Sequence, residues 1–273
     1  MFGWLQARHR RQILEHPFPD GWNAILERNL KHWRFLDDAE QVQLRSLVQV
    51  FVAEKKWAGC GGLALSDEIR VTIAGLACLL VLGLDHTLYS NVRTILVYPS
   101  TVVAPGESTA LCAGVTIEGP AVPIYGQSFL RGPVVLVWDA VLRGAIHPER
   151  GHNVVYHEFA HKLDMLDGCV DGTPPLGGRE QYLRWIEVCT REYNALRRRA
   201  AQGERTFLDA YGATNPGEFF AVITEFFFDK PLQMQRHHPE LFSLLQEFYR
   251  QDPAAREARH APGHPGAGHA VRH

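Results

Sequence analysis

Apolar positions divide the chain into a helical first part, a strand-rich middle and a helical last part. From Gly21 to Lys56 they recur at three- and four-residue steps: Trp22, Ile25, Leu26, Leu30 and Trp33, then Val42, Leu44, Leu47, Val48, Phe51 and Val52. That period lays them along one face of a helix. Asp37 and Asp38 stand where the second run begins and suit its cap, since a carboxylate there accepts from the first unpaired amides. The AGCGG stretch at 58–62 breaks the pattern. A further helix is predicted from Asp67 to Leu82, capped by Ser66 and tolerating Gly75. The first twenty residues mix aromatics, arginines and two prolines and read as a loosely held arm.

The middle changes character. VRTILVY (92–98) is a β-branched run stopped by Pro99, and PVVLVW (133–138) is a second strong strand. Weaker segments at 114–118 and 122–125 flank a turn at Glu118–Gly119–Pro120. Strands so close together, with short turns between, predict a small mixed or antiparallel sheet rather than a row of βαβ units. From His152 the helical period returns, over roughly 152–166, 179–199, 216–228 and 239–249. The expected fold class is therefore α+β. Helices of about 20–84 should pack on a catalytic part of about 85–250, because no Pro/Gly/Ser-rich stretch divides them. Residues 251–273, rich in Ala, Gly, Pro and His, read as a disordered tail whose histidines are incidental or at best weak metal binders.

Charge narrows the function classes. The 28 Lys plus Arg against 30 Asp plus Glu leave a net charge of -2, unlike a general polyanion binder, so no direct nucleic-acid partner is expected. IAGLACLLVLGL, residues 73–84, is too short to cross a bilayer, and no apolar stretch follows Arg8, Arg10 and Arg11. A cytoplasmic protein with no membrane partner is the expectation. The five cysteines have no C-x-x-C pair and read as free thiols.

The chemistry concentrates in VVYHEFAHKLDMLD, residues 154–167. His157 and His161 are four residues apart, so on a helix their imidazoles share one face and can take two corners of a zinc site. Glu158 stands beside them, placed to accept a proton from an attacking water and return it to the leaving nitrogen. Apolar neighbours Val154, Val155, Phe159, Ala160, Leu163 and Leu166 put this helix in a core, where polar groups need partners. Asp164 is within reach as an acceptor for an imidazole N–H.

A catalytic zinc needs a third protein ligand and one open position. His237 lies far downstream in a polar run and is poorly held. Glu218 is the better candidate, opening the otherwise apolar EFFAVITEFFF. Glu225, two turns further on the same face, is a candidate partner for one histidine.

Two blocks, HEFAHKLDMLDG (157–168) and YGATNPGEFFAVITEFFF (211–228), resemble those of the Mlc titration factor A family. ILVYPS (95–100), GPVVLVW (132–138) and LLQEFYRQDP (244–253) extend the similarity over most of the chain. That family comprises bacterial cytosolic zinc metallopeptidases of the gluzincin type, with a catalytic domain similar to that of anthrax lethal factor. The resemblance implies a zincin-like domain holding one Zn2+ on His157, His161 and Glu218, with Glu158 as general base. It also implies that Tyr211 assists catalysis. Read alone, Tyr211 suits core packing, although a phenol can donate to an oxyanion. Asn215 and Pro216 read as a helix cap and first-turn proline.

The resemblance further implies aminopeptidase action on a peptide substrate and partnership with a Mlc-like transcriptional repressor of glucose uptake. The alternative is a non-catalytic protein that sequesters such a repressor, which would have no need of Glu158. In zincins an edge strand lies above the active-site helix and pairs with the substrate. Pro133–Trp138 is the candidate, an interior position being the alternative; Trp138 would line a pocket or pack in the core.

Overall fold

Reciprocal capping starts the longest N-terminal helix: Asp37 accepts the Glu40 amide at 2.9 Å and Glu40 accepts the Asp37 amide at 3.0 Å. The computed structural model describes residues 2–85, 88–100 and 132–260, and between them 102–103, 109–110, 116–117, 123–124 and 126–128. Helices α1 (Phe2–Leu14), α2 (Asp20–Asn29), α3 (Asp38–Glu54) and α4 (Asp67–Leu80) form the N-terminal part, with a 3-10 turn at Lys31–Phe35. Ser66 caps α4 as expected, accepting the Ile69 amide.

The first residues are not a loose arm. They form α1, tied to α3 by Arg10, which pairs with Glu54 at 2.7 Å. Most of α1 is solvent-exposed, Trp4 and Leu5 included, so its apolar spacing carries no helical signal of its own. Tertiary anchoring makes the helix.

Running into the glycine break is a short strand, β1 (Lys56–Gly59), which the sequence pattern did not reveal. Strands β2 (Thr94–Tyr98), β3 (Val102–Val103), β4 (Thr109–Ala110), β5 (Thr116–Ile117), β6 (Pro123–Ile124), β7 (Gly126–Ser128) and β8 (Val134–Val137) follow. Among the described residues the main sheet runs β1-β2-β8-β7, with β3–β6 and β4–β5 as small antiparallel pairs. β5 and β6 fall inside the two weak expected segments; the turn at 118–120 lies outside the described residues. β1, β2 and β8 are parallel, and β7 closes the edge antiparallel to β8.

This order corrects one expectation. The strand of 133–138 is interior, hydrogen-bonded on both sides, and the edge belongs to β7. Complete burial of Val134 to Val137 fits that position, because an all-apolar run is suited to both faces being covered. Trp138 opens a further helix, α5 (Trp138–Ile146), and is half-buried against the core.

Helices α6 (Val154–Asp164), α7 (Arg179–Ala201), α8 (Pro216–Asp229) and, after the unexpected short α9 (Pro231–His237), α10 (Pro239–Tyr249) form the last part. Leu26, Phe51, Ile73, Ile95, Leu136, Phe159 and Phe227 belong to one continuous core, so the N-terminal helices share it with the sheet and α8. A polar link spans the same junction, His32 lying 3.1 Å from Asp229 at the end of α8.

The segment expected to open a disordered tail is instead helical. α11 (Pro253–Arg259) starts at Asp252, which accepts the Ala255 amide, and buries Pro253, Ala254 and Arg256. Arg256 reaches Glu40 at the start of α3 at 2.9 Å. Seven residues hold a helix only through such docking. Residues 261–273 of that expected tail lie outside the described residues. Among the described cysteines the free-thiol expectation fails at Cys60, which is disulfide-bonded, and Cys78, Cys169 and Cys189 are free. Among the described residues no helix is long and apolar enough to cross a membrane.

Candidate metal centre

Two helix starts aim the site. Asn153 caps α6, accepting the Tyr156 amide at 3.2 Å. Asn215 caps α8, accepting the Glu218 amide at 2.9 Å, and Pro216 takes the first-turn position where no amide is needed. Both helices are buried along nearly their whole length and pack against each other. Their contact brings the first turn of α8 onto the face of α6 that carries both histidines.

Three donors converge there. His157 Nε2 lies 3.3 Å from His161 Nε2 and 2.9 Å from Glu218 Oε2, and His161 Nε2 lies 3.4 Å from that same oxygen. Tetrahedral corners around an ion at zinc–nitrogen distance are about 3.3 Å apart. His157, His161 and Glu218 form a cluster able to hold a metal ion.

The donor chemistry points the same way. His157 donates from Nδ1 to Glu225 Oε1 at 2.8 Å, which leaves a lone pair on Nε2 in the neutral ring. That lone pair faces a carboxylate oxygen and a second imidazole nitrogen. Three electron-rich atoms so close together require a cation or a shared proton. In the metal-free protein burial opposes protonation of His157, yet hydrogen bonds to Glu218 and Glu225 raise its pKa well above the ordinary value. Burial would raise Glu218, but His157 and His161 hold it well below the usual carboxylate range.

The surrounding residues meet the sequence expectations unevenly. Glu225 is the partner of His157, and its Oε2 accepts the Asn153 amide at 2.6 Å. Glu158 is buried on α6. Tyr211 lies in a 3-10 turn, Ala210–Ala213, its ring centroid 5.9 Å from that of His157. It is not core packing, for it is 54% exposed. Partial burial and the charges of Glu218 and Glu158 push its hydroxyl up to about 12, so it stays a donor at neutral pH. Asp164 does not serve an imidazole: its Oδ2 accepts the Gly172 amide at 3.0 Å, and His161 Nδ1 has no partner among the described residues. His237 lies away from the cluster, stacked on Phe207 at 4.8 Å.

Lys162 escaped the sequence reading. It is fully buried, one turn beyond Glu158, and donates to Gly132 O at 3.3 Å beside β8. Burial lowers its ammonium to about 8 against the pull of Glu158. A lysine on a helix whose neighbours are core-facing was the signal that could have marked it.

Residues 4–250 match the family model described as glucose-regulated metallo-peptidase M90. The chain belongs to this M90 family. An uncharacterized protein of Synechocystis is 37% identical over 251 residues, covering 92% of this chain and 90% of its own length. Mlc titration factor A of Serratia proteamaculans is 34% identical over 232 residues, 82% of this chain and 85% of its own. That of Yersinia pestis is 32% identical over 226 residues, 82% of each. The M90 assignment covers α6, α8 and the sheet together, with β7 as the strand of the sheet edge packed nearest α6.

Proposed function

We propose that this chain is a zinc-dependent peptidase, acting as an aminopeptidase, with His157, His161 and Glu218 holding one zinc ion. The observation that carries the reading is the near-tetrahedral spacing of those three donors, with a buried Glu158 next to His157. Zinc bound there would supply a Lewis acid that acidifies a water and polarises a carbonyl.

Each residue then has a task. Glu158 takes the proton of the attacking water and passes it to the leaving nitrogen. Glu225 fixes the tautomer and orientation of His157, so that Nε2 presents its lone pair. The Tyr211 hydroxyl donates to the oxygen on which negative charge develops. Among the described residues β7 pairs only with β8, and its outer side would suit pairing with an extended peptide.

The test is Glu158→Gln, which keeps side-chain size and the three donors. It should retain about one zinc per chain and lose nearly all turnover of an unblocked short peptide. Full turnover in this variant would end the mechanism. Equal cleavage of free and N-acetylated peptides would leave the zinc chemistry but remove the aminopeptidase assignment.

The name of the Serratia and Yersinia relatives, Mlc titration factor A, supports a second element of the proposal. The chain would also bind a Mlc-like transcriptional repressor. Titration of the purified chain with such a repressor tests this, and Glu158→Gln should bind as wild type does.

A further inference from the structure

Tyr211 sits in a turn packed on α7 and α8, with its ring beside His157. Its 3-10 turn is four residues long and its side chain is half-exposed. Such a turn has little stability of its own. Both backbone groups of Tyr211 are nevertheless held by neighbouring side chains. Asp209 Oδ1 accepts its amide at 2.7 Å, and Thr214 Oγ1 donates to its carbonyl at 2.7 Å.

The second oxygen of Asp209 leads elsewhere. Oδ2 lies 3.2 Å from His152 Nε2, and His152 immediately precedes Asn153, the cap of α6. The backbone at this end is fixed, while the His152 imidazole itself is 66% exposed. A Cβ on Gly144 of α5 would come within 2.9 Å of the His152 carbonyl oxygen, so α5 sits directly against that backbone. One carboxylate therefore bridges the Tyr211 amide and the head of the helix that carries His157. An N-cap alone would need only one oxygen. A partly exposed pair such as His152–Asp209 adds little to global stability.

We propose that Asp209, tethered to His152, is a positioning residue that sets the Tyr211 phenol against the metal centre. The inference rests on the peptidase reading above, in which that phenol donates to the oxyanion. Misplacement by about 1 Å can cost up to a hundredfold in rate.

Asp209→Ala should therefore lower kcat on the order of ten- to a hundredfold with KM and zinc content near wild type. Asp209→Asn keeps an acceptor for the Tyr211 amide and should restore most of the rate. His152→Ala, at an exposed position, should give a smaller kcat loss without risk to folding. The deciding measurement is a double-mutant cycle. In a Tyr211→Phe background, neither Asp209→Ala nor His152→Ala should reduce kcat further. Additive losses would overturn the proposal.

Hydrogen exchange provides an independent readout in the metal-free protein. The Tyr211 amide should exchange at least about tenfold faster in Asp209→Ala than in wild type or Asp209→Asn. Unchanged protection would overturn the proposal whatever the activity. Absence of zinc-dependent turnover in wild type would instead count against the peptidase reading, and the exchange comparison would still decide whether Asp209 holds Tyr211.

Discussion

Glu225 Oε1 accepts the Nδ1 proton of His157 at 2.8 Å while Oε2 accepts the Asn153 amide at 2.6 Å. One buried carboxylate of α8 thus orients a ligand of α6 and secures the cap of the same helix. It couples the metal centre to the packing of the two helices, since neither group finds that partner unless α6 and α8 are docked.

Glu225→Ala should weaken zinc binding by about 10–100-fold, because an imidazole without its acceptor loses both orientation and basicity. Competition with a chelator of known affinity measures this. Glu225→Gln retains an acceptor oxygen and should lose less.

Zinc affinity should rise with pH. In the metal-free protein His157 is held protonated by Glu218 and Glu225, its pKa raised well above the ordinary histidine value. Metal must displace that proton, so acid favours the empty site and binding releases about one proton per zinc. Calorimetry in buffers of different ionisation enthalpy reads the proton directly. A binding enthalpy independent of buffer would contradict the expectation.

Asp164 makes a prediction about stability. Burial pushes its carboxyl up to about 6 although the Gly172 amide pulls it down. The folded state then binds the proton more tightly than the unfolded state, so this contribution is present below pH ~4 and lost as pH rises through ~6. Asp164→Asn keeps an acceptor for the Gly172 amide and has no proton to lose. Metal-free Asp164→Asn should match wild type near pH 4 and exceed it by about 1–3 kcal/mol at pH 8. Denaturant melts at the two pH values provide the comparison.

Gly172 is the glycine most tightly built into the site. Its φ is +78°, a Cβ there would collide with the Pro216 carbonyl oxygen, and its own carbonyl accepts the Trp185 indole at 3.0 Å. Gly172→Ala should cost about 1–3 kcal/mol and lower zinc content as well, since Pro216 opens the turn that carries Glu218. Normal zinc retention in a destabilised Gly172→Ala protein would separate the loop from the metal centre.

Legibility in the sequence followed the range of the interactions. His157 and His161 needed only the helical repeat, and Asn215 and Ser66 are caps read from the few residues that follow them. Glu218 and Glu225 were legible because two carboxylates in an apolar helix need polar partners when buried. These facts are local, or nearly so, and a linear pattern preserves them.

Other features depended on residues far apart in the chain. β1 is four residues long and β7 three, too short to carry a period, and their strand identity comes from pairing with β2 and β8. The interior place of β8 was open until β7 took its far side. α1 and α11 are helices because Glu54 and Glu40 anchor them across the fold. Asp164 was expected to face an imidazole, but the Gly172 amide, brought in by the following loop, takes its oxygen instead. The sequence by itself determined which side chains could hold a metal, because helical spacing and the cost of burying charge are properties of a segment. Only the tertiary structure decided sheet order, edge and second partners, because those energies arise when distant segments exclude water from each other.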